Sequence, residues 1–288
     1  MSEPLIRDVS DTAFWVAHHR AVENERSDAL FRDPFAALLA GEHGEEIADS
    51  MPNAKVTGWV IVMRTCIIDE FIRSAVAEGI DTIVNLGAGL DTRPYRMELP
   101  ASLRWIEADY PRVIDYKENL LANQHPHCRL ERVKIDLADL AARRQLFANL
   151  DSTAHRLLVL TEGVVPYLSL EEAGMLADDL RAVEHLSYWL LDYFSAQSMA
   201  FRKRQNMSRK MQNAPFRFVP DDWFAFFEQH GWATKSIRYL ADEGERTHRP
   251  IPLPWPMKAM MKFLLLFAPG DRRDGLRKFA GFVLLEPR

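Results

Sequence analysis

The chain has 288 residues, 48% of them hydrophobic, enough to bury a large core as one or two domains. A formal net charge of −5 argues against wholesale binding of nucleic acid. Two cysteines, Cys66 and Cys128, do not make a disulfide framework in a chain of this length, and a reducing cytoplasm is their natural setting.

The N-terminus, "MSEPLIRDVSDTAFW", lacks the basic and apolar regions of a signal peptide. The first 75 residues read as broken helix, over 11–20 and 35–39, with a boundary at Pro34. Residues 59–76 form a longer amphipathic stretch, with Val60, Met63, Ile67, Phe71 and Val76 roughly on one face. It stops at Glu78-Gly79, where glycine supplies a left-handed cap. From residue 80 the pattern changes to short, nearly continuous apolar runs: 80–87, 104–109, 132–137, 156–163 and 187–194. Such runs predict parallel strands covered on both faces. The intervals hold helices, as over 111–123 and 169–184, so the repeated units predict an open parallel sheet with right-handed crossovers. A helical, basic segment follows ("FRKRQNMSRK"), then a helix over 220–232 and two last strands, 233–240 and 279–287. Between those strands lies a Pro/Trp/Met-rich insertion, 250–269. Its longest apolar stretch, 257–269, contains two lysines and is shorter than the ~20 apolar residues a bilayer span needs.

The chemistry begins at "NLGAGLDTRPYRM", residues 85–97. A strand, Gly87-x-Gly89 and a helix make a turn that a ligand can approach closely, with free N–H groups at the helix start. A dinucleotide fingerprint needs a third glycine where this chain has Thr92. The acid expected after the second strand is Glu107 or Asp109; Asp109 falls twenty residues after Gly89, where a carboxylate accepts from both ribose hydroxyls. Asp136 follows the third strand, placed to accept from an adenine amine, and Glu162 ends the fourth. Acids after successive strands at one edge of the sheet suit a ligand with ribose, adenine and a cationic centre. No lysine resembles that of a triphosphate-binding P-loop. S-adenosylmethionine fits. Any one of these acids alone is equally an ordinary turn or cap residue.

"VNLGAGLDTRPYRM", "WIEADYPRVIDYKENLL" and "LTEGVVPYLSLEEA", in that order, resemble the leucine carboxyl methyltransferase family, which includes the tetracenomycin-type polyketide carboxyl methyltransferases. Upstream, "RSDALFRDPFAALLAG" and "MRTCIIDEFI" are similar to its N-terminal region, so the likeness runs from about residue 10 to 195. The resemblance implies a seven-stranded, Rossmann-like class I methyltransferase sheet in a single domain. Residues 1–78 form an N-terminal helical cover, 79–195 the cofactor-binding half, and 196–288 the substrate-side helices, a lid insertion and two strands. It implies that Arg64 pairs with the cofactor's carboxylate, that Gly87 and Gly89 line the methionine moiety and that Asp109 holds the ribose. Asp136 and Leu137 bracket the adenine, Glu162 lies beside the amino-acid part, and Tyr167 sits further into the pocket. On residue type alone, Arg64 fits a solvated helix face and Tyr167 a core aromatic.

The expected reaction is methyl transfer to the carboxylate of a small, polyketide-like acid. A carboxylate is ionised at pH 7 and needs no general base, so Tyr167 is expected only to position it. A phenol would need a base, and no His–Asp pair stands out: His18 and His19 lie on an N-terminal helix, and His125 and His127 in a solvated "QHPHC" loop. A phenolic hydroxyl, a protein C-terminus and non-catalytic binding of the cofactor are the alternatives. The basic run 202–210 suits an acidic substrate or carrier protein, or is a solvated helix face; the insertion 251–267 reads as a lid over an apolar substrate, or as packing on the sheet.

Overall fold

The structure, a computed structural model, describes residues 5–204, 211–257 and 270–288. Residues 205–210 of the basic run and 258–269 of the insertion lie outside those described. Helix α1 (Asp11–Asn24), α2 (Ala36–Ser50) and α3 (Ala54–Ala77) precede the sheet. The two helical stretches expected upstream run on further than their apolar spacing indicates, and α2 kinks at Gly41, where φ is 54°. Helix α3 ends as its sequence predicts: Gly79 takes φ 91°, and the Ile80 N–H donates back to the Ala75 carbonyl.

Seven strands form one sheet in the order β3-β2-β1-β4-β5-β7-β6. They are β1 (Thr82–Leu86), β2 (Arg104–Asp109), β3 (Arg129–Lys134), β4 (Leu157–Thr161), β5 (Leu186–Phe194), β6 (Trp232–Tyr239) and β7 (Ala280–Pro287). The first five are parallel, whereas β7 runs antiparallel between β5 and β6, which makes the sheet mixed rather than wholly parallel. Strand β3 begins and ends three residues before its predicted position. It is an edge strand with charged side chains, so the apolar run that suggests it is not the run that pairs.

Alternation along the strands feeds two cores. Val84, Ile106, Val159, Trp189 and Leu191 pack on one face against α4 (Leu140–Asp151) and α5 (Leu170–Arg181). Ile83, Trp105, Leu158 and Leu190 pack on the other against Met63, Ile67, Ile68, Phe71 and Ile72 of α3. Each large side chain so buried contributes about 1.5–3 kcal/mol. The α3 stripe is therefore what fixes the N-terminal helices to the sheet, and it turns Arg64, next to fully buried Met63, along the carboxyl ends of the strands.

Candidate functional site

A cavity of about 1530 Å³ opens at the carboxyl ends of β1, β2, β4 and β5, beneath α1 and α3. This is where the strand order reverses about β1 and β4, the usual place for a ligand in an open sheet. Arg64, Gly87, Gly89, Asp109, Asp136, Leu137, Glu162 and Tyr167 all line it; Glu107 does not.

The glycine turn is built from strain that only glycine relieves. Gly87 and Gly89 have φ of 68° and 50°. A Cβ on Gly87 would stand 2.5 Å from Cγ2 of Val164 in the loop after β4, and one on Gly89 3.1 Å from Cβ of Ala13 in α1. Protein atoms, besides any ligand, thus demand both glycines. Asp109 braces the turn: one carboxylate oxygen accepts from the Gly89 N–H at 2.6 Å, the other from the Tyr110 N–H at 2.7 Å. Burial raises the Asp109 carboxyl above its usual value, against the pull of those two N–H groups. Each oxygen keeps a lone pair for a further donor. Glu107 is wholly buried and neutralised by Lys117 at 2.7 Å and Arg132 at 2.9 Å, which makes it a core ion pair. The third strand stops at Lys134, so Asp136 and Leu137 sit in the following loop. There exposed Asp136 accepts from the Ala138 N–H, and half-buried Leu137 gives its carbonyl to Arg143.

Behind the turn lies a buried ionic cluster that the sequence reading leaves without a role. Arg93 donates to Asp69 at 2.7 Å and to Asp91 at 2.9 Å, and through Nη1 to Glu162 at 2.7 Å. Arg96 adds two bonds to Asp69, and Arg20 of α1 reaches Asp33 at 3.3 Å and the Leu90 carbonyl at 2.5 Å. Glu162 is held from its other side by Arg64, Nε to Oε1 at 2.7 Å. Burial would raise the Glu162 carboxyl; Arg64 and Arg93 together reverse that and hold it low. Arg64 therefore has Glu162 as its protein partner, where the resemblance implies only the cofactor's carboxylate. The contact is one of charge without hydrogen-bond alignment, so Arg64 Nε has no aligned acceptor among the described residues. Asn85, also in the wall, donates to Asp91 at 2.8 Å, and its Oδ1 has no donor among the described residues.

A buried donor without an aligned acceptor and a buried acceptor without a donor among the described residues, a glycine turn and a braced carboxylate suit a zwitterionic tail joined to a ribose. Asp192 of β5 is a further wall residue that the sequence reading omits. Its signal was an acid inside "SYWLLDYF". It is 4% exposed and accepts from the Gly163 N–H at 2.7 Å. Burial pushes its carboxyl up to about 6, with Arg64 and the Gly163 N–H pulling the other way.

The rest of the wall is mainly apolar. Trp15, Val60, Phe194 and Phe216 contribute, and Tyr167 lies edge-on to Phe216 with ring centroids 5.0 Å apart. From the described part of the insertion, Pro250, Ile251, Leu253 and Met257 face the cavity. His–Asp pairs do occur, His185–Asp151 at 3.0 Å and His230–Asp178 at 2.7 Å, but neither pair is in the wall. His127 of the "QHPHC" loop contacts the Met97 carbonyl at 2.7 Å.

A mixed seven-stranded sheet with this crevice at its carboxyl ends defines a class I S-adenosylmethionine-dependent methyltransferase fold. Among solved structures, a DUF574-family protein from Streptomyces avermitilis aligns with TM-score 0.55 at 15% identity, covering 94% of this chain and 97% of that one. The family model for leucine carboxyl methyltransferase matches residues 13–181. A relative from Mycobacteroides abscessus, named provisionally as an S-adenosyl-L-methionine-dependent methyltransferase, is 30% identical over 86% of this chain and 91% of its own. One from Frankia alni, named likewise, is 30% identical over 84% and 90%. The chain belongs to the leucine carboxyl methyltransferase family, a family of S-adenosylmethionine-dependent enzymes. Among the described residues no helix is long and apolar enough to cross a membrane.

Proposed function

We propose that this methyltransferase esterifies the carboxylate of a small, apolar acid, polyketide-like in its bulk. The observation that carries the reading is the apolar half of the cavity wall, from Trp15 and Phe216 to Met257, in a chain whose family is named for carboxyl methylation. The cofactor, when bound, supplies an electrophilic methyl group on a cationic sulfur. Arg64, Asp109, Asp136 and Leu137 hold and orient it, and the aromatic and aliphatic wall keeps water from the reacting carboxylate. An acceptor with a reference pKa near 4.3 arrives ionised and needs no proton acceptor. Alignment in a dry site is then the main task, worth up to ~7–11 kcal/mol. Tyr167, in the wall beside Phe216, is the handle that orients the acceptor through its hydroxyl. The test is a panel of aromatic and aliphatic acids beside matched phenols, with products identified by mass and by alkaline hydrolysis. Base-labile methyl esters are expected. Base-stable ethers would overturn the carboxylate acceptor while leaving methyl transfer intact.

A further inference from the structure

Exposed apolar side chains gather where the apolar half of the cavity meets solvent. Phe201, Met257 and Leu276 line that rim half exposed, and Trp255, two residues before Met257, is 80% exposed. The rim is one surface. Phe201, of the helix Ala196–Arg204, lies against Phe279 with ring centroids 5.9 Å apart. A Cβ on Gly275, of the helix Gly270–Arg277, would stand 3.1 Å from Oε1 of Gln197. Ile251 and Leu253 carry the apolar surface inward along the cavity wall. A single exposed apolar residue is ordinary, but a cluster that holds an indole in water marks a surface kept for a partner.

The same two helices are basic. Residues 196–204 and 270–278 hold seven lysines and arginines against two acids. Arg277 pairs with Asp242 and also feels Glu245; with those two acids counted, three positive charges remain in excess, in a chain whose net charge is −5. A second copy of this chain would bring the same cations face to face, which opposes a self-complementary pair. An acidic protein answers the charge but gives no reason for the patch to run on into the cavity. An anionic bilayer answers both: cations meet the headgroups, and Trp255 sits at headgroup level with Phe201 and Leu276 beside it. Such contact is peripheral, since among the described residues no helix is long and apolar enough to cross a membrane.

Resting on the carboxylate acceptor proposed above, we propose that this rim docks on an anionic membrane surface and that the acceptor is a long-chain amphiphilic acid drawn from the bilayer. Seated there, the cavity opens on the acyl layer. The acid's chain then passes from lipid to the apolar wall without crossing water, and each methylene kept dry favours that route.

The test floats the full chain with vesicles of phosphatidylcholine alone, or of equal parts phosphatidylcholine and phosphatidylglycerol. Wild type should bind the anionic vesicles about five-fold more tightly or better, and added salt should weaken that binding. Trp255→Ser, at an exposed side chain outside the cavity wall, should keep the wild-type thermal midpoint yet lose about five-fold on the same vesicles. It should esterify a water-soluble aromatic acid at the wild-type rate, and lose about five-fold on a long-chain acid presented in those vesicles. No vesicle binding, equal binding by wild type and variant, or no preference for anionic lipid would each overturn the proposal. Retention on an acidic carrier protein instead, or self-association abolished by Trp255→Ser, would overturn it in favour of a protein partner. Ester formed from the soluble acid without vesicle binding sinks this inference alone. Vesicle binding with no ester from either acid sinks the carboxylate acceptor, and this inference with it.

Discussion

At the scale of single residues, the site works by leaving some charges half-satisfied. Arg64 is the clearest donor of this kind, with Nε against Glu162 and no aligned hydrogen bond. Lysine in its place keeps a charge but loses the planar fork that matches a carboxylate. Hydrogen bonds to charged groups are worth about 1.5–3 kcal/mol, so Arg64→Ala should weaken S-adenosylhomocysteine binding by about ten- to one-hundred-fold, with Arg64→Lys between. Wild-type affinity in both would place Arg64 outside the binding machinery. Asp192, by contrast, carries a cost of burial. Burial raises its folded-state carboxyl from the ordinary 3.8 to about 6, so its share of stability is complete below the unfolded value and is lost as pH rises through about 6. At 1.36 kcal/mol per pH unit, Asp192→Asn should stabilise the cofactor-free chain at pH 7 by up to about 3 kcal/mol and change little at pH 4. Urea unfolding of both proteins at the two pH values measures this; a variant no more stable at pH 7 than wild type would refute it.

At the scale of elements, two loops interlock. The turn after β1 carries Gly87, and the loop after β4 carries Val164, whose Cγ2 would stand 2.5 Å from an added Cβ. Gly87→Ala therefore combines a left-handed backbone at φ 68° with a steric clash, an expected loss of about 1–3 kcal/mol. Adding Val164→Ala should restore the steric share but not the backbone share. Thermal midpoints of the two single variants and the double variant separate them, and a double variant no better than Gly87→Ala would deny the contact. Elements also set what could be foreseen. The motif around Gly87 and Gly89 is legible because the backbone conformation leaves glycine little alternative, and β1 and β4 because strands buried on both faces are largely apolar, while β2 shows through Trp105, Ile106 and Ala108 between its charged residues. Strand β3 slipped by three residues because an edge strand carries charge, and Asp136 moved with it from a strand end into a loop. The short helices Leu240–Arg246 and Gly270–Arg277 gave too little periodicity to register. Asp192 stayed hidden because a single acid in an apolar strand has no spacing to betray it. Its meaning comes from Gly163 and Arg64, far away in sequence.

At the scale of the whole molecule, a polar end and an apolar end share one cavity, and the two ends answer to pH differently. Near the turn sit the groups that titrate, Asp109 and Asp192, both raised by burial. At the other end the wall is largely aromatic and aliphatic, and an ionised carboxylate entering there has no proton to lose. With cofactor saturating, the rate of methyl transfer should be nearly flat from pH 6.5 to 9. With cofactor limiting, it should fall towards acid pH as the Asp109 carboxylate, raised by burial, takes up a proton. Initial rates at two cofactor concentrations across that range distinguish the cases. A saturated rate climbing ten-fold per pH unit would instead mark a phenol as the acceptor.

Strand β7 has a consequence for how the molecule is made. Residues 280–287 supply the rib between β5 and β6, and β5 lies some ninety positions earlier in the chain. Until that rib arrives, β5 presents the unpaired edge of "LSYWLLDYF", an apolar, aromatic ribbon of the kind that recruits other nascent chains. Closing so long a loop is slow, and a translating ribosome enforces the wait. Stopping synthesis at residue 279 should therefore yield insoluble material rather than a smaller working enzyme. Supplying residues 280–287 as a separate peptide should rescue part of it by slotting into the vacant groove.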